Sequence, residues 1–434
     1  MRHNREPLLL VAAWVATRAL LLLCVGKVVT VPGPDVTSDV EFIYQGWSEV
    51  LRSGSYPRDD VAWQYPPAAA LAVLAPLAVP FLAYTPAFFA VCCLCDALVL
   101  GLLLRAARPA GPSRPARPAG AWVWVVGVPL LGPTAYARYD LMVTAVAVAA
   151  LLAAARRPAA AGALLGLGTL LKGWPLLLLL GTRPGTATRR TWGAALVTGL
   201  AVAAVCALAL PGAFAFLTHQ RDRGVEVESL GSLVFHVARH HGWPGRVALH
   251  YGSVEYLGPW VEVVGAVSVG ATVLALGWLL WWRVRAVTWH AATCAEAAFT
   301  AVLLFTVTSR VLSPQYMLWL VGLAAVVTAL GGARQRLPVT LVLLATGVTL
   351  LEFPLGFAHV VAGDAVGVTA LTVRNGLLVA AALVCCRRLW RDTVGPAARE
   401  DAGALEACPD GTASDAPLRG LSPTAGADRT ASER

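Results

Sequence analysis

Apolar runs of roughly 20 residues, the length that crosses a bilayer, recur along almost the whole chain. They predict helices near 8–29, 87–104, 121–134, 140–155, 159–181, 192–213, 259–282, 292–309, 314–331, 338–356 and 367–386. A further apolar stretch, 68–82, follows a Tyr-Pro-Pro. Two polar segments are long, 30–67 and 214–258. The pattern is that of an all-α polytopic membrane protein with about 11–13 transmembrane helices and two long loops outside the membrane. Residues 1–391 form the membrane domain. Residues 392–434, rich in Ala, Gly, Pro, Asp and Ser, are expected to be a disordered cytoplasmic tail. The first run lacks a small-x-small cleavage site and reads as an anchor.

Composition agrees. Of 434 residues, 57% are hydrophobic and 14% charged, against about 25% charged in a soluble domain. The net charge is +9, and basic residues cluster in short loops: Arg105 to Arg117, Arg156-Arg157, Arg183 to Arg190, Arg283-Arg285, Arg334-Arg336 and Arg387 to Arg391. Such clusters mark the cytoplasmic side, and no nucleic-acid motif accompanies them. Eight of nine cysteines lie in or beside apolar segments, so no external disulfide framework is expected. Cys92-Cys93-x-Cys95-Asp96 lacks the partners a tetrahedral metal shell needs.

Two topologies fit. In one, 68–82 is re-entrant or interfacial, 159–181 is a short hairpin with Lys172 near its outer tip, and Arg138-Tyr139-Asp140 emerges on the face of the loop 30–67. In the other, 68–82 and 159–181 both span, and Arg138 and Asp140 face inside. The first keeps 105–120 and Arg156-Arg157 with the other basic loops and is preferred.

Candidate chemistry concentrates in the polar segments. The first loop, TSDVEFIYQGWSEVLRSGSYPRDDVAWQYPP from Thr37, offers Asp39, Glu41, Asp59 and Asp60, with Asp35 just before it. A general base is a carboxylate or His held in a shaped, dry site. SDVEFIYQGW suits a short amphipathic helix capped by Ser38 or Thr37, with Tyr44 and Trp47 dipping into the membrane interface. Tyr65 would shape a cavity where the loop closes. Arg138, Asp140 and Lys172 place charge between apolar stretches, which marks either a structural pair or a functional cavity. Lys172 suits a phosphate as a point charge. The second loop carries His219 to Leu230, including Arg223 and Glu228, a mixture fit for a phosphate or sugar. His236, His240, His241 and His250 show no metal-ligand spacing. At Ser309 to Leu320, Ser313 and Pro314 read as a helix cap and first turn, and Arg310 and Gln315 as cavity-lining groups.

The ordered set SDVEFIYQGW, WQYPP, RYDL, KGWP, RGVEVESL and SPQYMLWL resembles the actinobacterial GT-C superfamily glycosyltransferases, in particular family 87, which includes polyprenyl-phosphate-mannose-dependent α-mannosyltransferases. The resemblance covers roughly residues 8–388. It implies a lipid-linked sugar donor, inverting transfer to a lipid or glycan acceptor at the outer face of the plasma membrane, and a first-loop Asp as general base. Asp39 is the matching position, with Glu41, Asp59 and Asp60 as competitors. By the same resemblance Tyr44, Tyr65, Arg138, Asp140, Lys172, Arg223, Glu228, Arg310 and Gln315 would contact substrate. Asp140 matches a position that pairs with a metal in some relatives. The likeness is to metal-independent members, so no metal or other cofactor is expected.

Two other classes stand beside the transferase. A transporter or lipid flippase would route substrate past Arg18, Asp96, Lys172 and Arg374, although no inverted repeat is visible. A polymer-assembly scaffold with decayed sites would not need the ordered polar motifs.

Overall fold

The computed structural model describes residues 5–107, 118–221 and 223–395. The Arg-rich stretch 108–117 and the tail from 396 lie outside the described residues; Asp392 and Thr393, expected in the tail, still belong to the last helix.

In chain order the α-helices are α1 (Arg5–Val25), α2 (Gln45–Arg52), α3 (Ala69–Leu74), α4 (Tyr84–Ala106), α5 (Ala119–Gly127), α6 (Asp140–Ala153), α7 (Pro158–Leu171), α8 (Thr186–Ala209), α9 (Phe216–Arg221), α10 (Leu233–Ala238), α11 (Val261–Arg285), α12 (Thr293–Thr308), α13 (Tyr316–Gly331), α14 (Arg336–Leu350), α15 (Phe357–Ala362) and α16 (Ala365–Thr393). Among the described residues six helices are long and apolar enough to cross a membrane: α1, α4, α8, α11, α14 with its extension to Leu355, and α16. Five apolar helical segments are shorter, at 10–17 residues.

The short ones bear on the two topologies. Ala69–Ala78 makes only ten residues of α and 3-10 helix, about 15 Å, against a hydrocarbon core of about 30 Å. It does not span. Helices α6 and α7 have 14 residues each, about 21 Å, and the hairpin expected within 159–181 is α7 with the 3-10 segment Trp174–Gly181, which pack on each other. The apolar run 159–181 breaks at Lys172, whose backbone turns extended, before the 3-10 segment Trp174–Gly181. Arg138 bonds to Asp39 and to the Val36 carbonyl, so Arg138 lies on the face of the first loop. Arg283 caps the opposite face, bonding to the Thr182 and Leu180 carbonyls and the Thr188 hydroxyl.

Close packing uses glycine where the pattern demands it. Gly162 and Gly166 sit four apart on α7, and a Cβ at either would run into the backbone carbonyl of Thr191 or Ala195 on α8. Such small-residue spacing lets two membrane helices touch backbone to backbone. Gly33 has φ +102°, and its α-carbon abuts the Pro354 carbonyl, which pins the first loop to the outer end of α14.

The second loop is a small domain of its own. Strands β1 (Val225–Glu226), β2 (Arg246–His250) and β3 (Ser253–Leu257) form an antiparallel sheet of order β1-β3-β2. It packs Val225, Val227, Phe235 and Tyr256 against Val261 of α11, Val360 of α15 and Leu371 of α16.

Candidate active site

The first loop leaves the membrane at Val25 and folds back on itself. Lys27 reaches Asp35 at 2.9 Å and Glu41 at 2.7 Å. Thr37 donates its hydroxyl to Asp35 and Glu41, and Ser38 donates to the Asp35 carbonyl, so neither caps the following helix as expected. Asp39 opens a π-helical turn, Asp39–Tyr44, that leads into α2. Tyr44 and Trp47 do not dip into the interface. They are buried against Phe88, Tyr139, Trp63 and Tyr65, because α2 turns this face inward onto the bundle.

Geometry separates the five first-loop acids. Asp35 and Glu41 are taken by Lys27. Asp59 is fully exposed beside Arg58. Asp60 accepts from the Trp47 indole at 2.8 Å and the Ala62 amide at 2.9 Å. Asp39 lies 2.9 Å from the Arg138 guanidinium, with its side chain 34% exposed. Arg138 is itself fixed by the Val36 and Ala137 carbonyls at 3.0 and 2.8 Å.

Beneath this pair Asp140, at the first turn of α6, is wholly buried. Its carboxylate accepts from Lys172 Nζ at 2.7 and 2.8 Å and from the Trp319 indole at 2.7 Å. The same ammonium lies 5.2, 5.0 and 5.5 Å from the ring centroids of Tyr65, Tyr139 and Trp319. Trp319 is stacked between Trp174 and Tyr316. The Asp140 carboxylate supplies the counter-charge to an ammonium seated on aromatic rings.

The second loop supplies the facing wall. Arg223 bonds Glu255 at 3.2 Å and the Ser253 hydroxyl, while Glu255 also accepts from the Gly224 amide and sits 3.0 Å from His250. Arg310 donates to the Gln220 carbonyl at 2.7 Å. Ser313 gives its hydroxyl to Glu226 at 2.9 Å rather than to the helix start. The Glu228 carbonyl accepts from Arg374 and Asn375 of α16. The histidines are used singly: His236 against the Val227 carbonyl, His240 against the Gly363 carbonyl and His250 at Glu255.

These walls enclose a cavity of about 820 Å³. Asp39, Tyr44, Tyr65, Arg138, Lys172, Arg223, Glu228, Arg310 and Gln315 all line it; Asp140 lies behind Lys172 and does not. Glu226, Gln64, Gln220, Trp174 and Trp319 line it too and were not singled out from sequence. The alternation in Val-Glu-Val-Glu was the available signal for Glu226, since a strand sends residues two apart to one side. The cavity also has an apolar arm of Leu176 and Leu177, Val269, Val273 and Leu276 of α11, and Phe305 of α12.

The other intramembrane charges are committed elsewhere. Arg18 of α1 bonds Asp96 of α4 at 2.8 Å and the Val125 and Trp124 carbonyls, while Asp96 also accepts from Trp14, Trp124 and Tyr136. Arg374 pairs with Glu352 at 3.0 Å.

A polytopic helical membrane protein whose cavity joins a carboxylate, several cations and an apolar arm has the makings of an enzyme acting on an amphiphilic substrate. The family model for glycosyltransferase family 87 matches residues 63–314, more than half of the chain, and the chain belongs to that family. It is a membrane glycosyltransferase, as its motifs led one to expect. The matched range takes in Tyr65, Arg138, Asp140, Lys172, Arg223, Glu228 and Arg310 and begins after Asp39. The chain is also similar to ArnT from Cupriavidus metallidurans, solved bound to undecaprenyl phosphate, at 17% identity and a TM-score of 0.44 over 93% of this chain and 80% of that one. Among curated proteins none matches the sequence.

Proposed function

We propose that this protein transfers a hexose, with mannose as the first candidate, from a polyprenyl-phosphate donor to a hydroxyl of a lipid or glycan acceptor at the outer face of the plasma membrane, its tail being cytoplasmic. One observation carries the reading: a single cavity holds Asp39 on one wall, Lys172, Arg223 and Arg310 around it, and an apolar arm between α11, α12 and Leu176-Leu177. A polyprenyl-phosphate sugar has the same three parts, an apolar tail, an anion and a reacting carbon.

The chemistry is a displacement. The acceptor oxygen attacks the anomeric carbon while the bond from that carbon to the phosphate oxygen breaks. The acceptor proton passes to the Asp39 carboxylate, and the bonding electron pair leaves with the polyprenyl phosphate. Arg138 holds the Asp39 side chain in place at 2.9 Å. Positive charge from Lys172, Arg223 and Arg310 stabilises the charge growing on the leaving phosphate, an effect strengthened where water is excluded. Asp140 acts through Lys172, keeping its ammonium in place.

The test is transfer from polyprenyl-phosphate mannose by purified protein with Asp39→Asn and Asp39→Ala. A loss of about 10²–10⁴-fold, with donor still bound, is expected for a general base. Full activity in both variants would remove Asp39 from the mechanism.

A further inference from the structure

Some carboxyl groups of the cavity have no part in that displacement, Glu226 among them. Glu226 of β1 is 4% exposed and lines the cavity. Its Oε1 accepts from the Ser313 hydroxyl at 2.9 Å, the Leu312 amide donates to the same side chain, and its own amide donates to the Arg310 carbonyl at 3.0 Å. Among the described residues its Oε2 has no partner. Two residues on, Glu228 is equally buried, lines the same cavity and has an Oε1 without a partner. A buried polar oxygen left without a hydrogen bond is costly, and the cost is relieved by a donor that arrives with a ligand.

The ligand's parts can be assigned by chemistry. A phosphate offers no donor and belongs with Arg223 and Arg310. An isoprenoid offers no polar group. The acceptor hydroxyl gives its proton to Asp39. The hydroxyls of the transferred sugar remain. Position agrees: β1 is tied to Arg310 through the backbone, and both lie against Gly265 of α11, whose further turns form the apolar arm. Running up from that arm, a donor meets the cations and then, one bond later, its sugar.

We propose that Glu226 reads the transferred hexose, its Oε2 bonding to a ring hydroxyl, with Glu228 Oε1 beside it for a second hydroxyl. This rests on the donor class proposed above and adds the residue that selects its sugar. Burial holds the Glu226 carboxyl above the usual carboxylate range, against the pull of Arg223 and of its hydrogen bonds to Ser313 and Leu312. A carboxylate accepts from a hydroxyl, and a protonated carboxyl both gives and takes, so the free Oε2 suits a hydroxyl in either form. A site built to bond a hydroxyl rejects the analogue that lacks it far more sharply than an apolar pocket does.

The experiment compares wild type, Glu226→Gln and Glu226→Ala in transfer from polyprenyl phosphates carrying mannose, glucose or 2-deoxyglucose. Sugar-free polyprenyl phosphate serves as a competing inhibitor. Glu226→Ala should raise the KM for the preferred donor about tenfold and flatten the preference among the three sugars, and Glu226→Gln should restore most of both. Inhibition by the sugar-free lipid should be the same in all three proteins. An unchanged sugar preference in Glu226→Ala overturns the proposal. So does a parallel loss of inhibition by the sugar-free lipid, which would make Glu226 only a staple for the segment at Arg310. Absence of transfer by wild type from every polyprenyl donor would sink the donor reading itself, and this proposal with it.

Discussion

Lys172 and Asp140 meet 32 positions apart in sequence, across the outer ends of two short helices, with Nζ 2.7 Å from one carboxylate oxygen and 2.8 Å from the other. Trp319 donates to the first of those oxygens at 2.7 Å, so three separate segments share one buried anion. Removing that anion leaves an ammonium on aromatic rings without a counter-charge. Asp140→Asn is therefore expected to cost about 3–5 kcal/mol of stability and to lower transfer as well. Melting temperature and activity, measured on the same preparation, check both. Retained stability with full activity would show that Lys172 needs no partner.

Arg138 makes three bonds in different directions, to Asp39 and to the Val36 and Ala137 carbonyls. A lysine cannot serve them all. Arg138→Lys should retain part of the activity and Arg138→Gln should lose it nearly as fully as Asp39→Asn. The quantity to read is kcat at saturating donor, because Arg138 bonds the proposed base, Asp39.

Gly166 does not line the cavity but lies on α7, at whose end Lys172 sits. Gly166→Leu should separate α7 from α8, since a side chain there collides with the Ala195 carbonyl, at a cost of about 1–3 kcal/mol. Thermal unfolding and transfer should fall together. Gly173→Ala, where the added methyl meets nothing within 4 Å, is the comparison that should leave stability nearly untouched.

Arg18 and Asp96 distinguish a structural pair from a conduction path. Both are almost wholly buried and fully bonded. Arg18→Ala should destabilise the protein by about 3–5 kcal/mol. The sugar preference of whatever folds should stay that of wild type. An altered substrate preference in a stable Arg18→Ala protein would revive the transport reading.

Burial raises Glu226 and Glu228. Around Glu226, Arg223 opposes the shift and Glu255 adds to it; around Glu228, Glu226 and Glu352 add to it and Arg374 opposes it. A raised folded-state pKa means the folded form favours the protonated group. That stability is fully present below the ordinary glutamate pKa of about 4.3 and is lost as pH rises through the raised folded values. Melting temperature should therefore fall across that window, and the fall should be shallower in Glu226→Gln. The same slope in both proteins would exclude Glu226 as its source.

Much of this was legible in the residues. Apolar run length gave the membrane helices, and charged residues at Arg138, Asp140 and Lys172 flagged a polar place inside an apolar bundle. Arg138 meets Asp39 of the first loop, the placement that the preferred reading of the basic loops expected. Local pattern failed where tertiary contacts redirected a side chain. Ser313 looks like a cap and bonds Glu226; Tyr44 and Trp47 look interfacial and pack inside. Among five acids, the pairing of Lys27 with Asp35 and Glu41 and of Trp47 with Asp60 could not be read from spacing, since each joins residues brought together by a turn.

Glu228 is held by its carbonyl from Arg374 and Asn375, both on α16, so one wall of the cavity hangs from the last helix described. The opposite wall, with Asp39, Arg138 and Lys172, belongs to segments made much earlier. In chain order the wall with Asp39, Arg138 and Lys172 comes before the helix that anchors Glu228. A nascent chain released before α16 inserts would carry a carboxylate and cations in the membrane without the wall that screens what they act on. The wall that carries Glu228 is therefore completed only by the last helix described, α16.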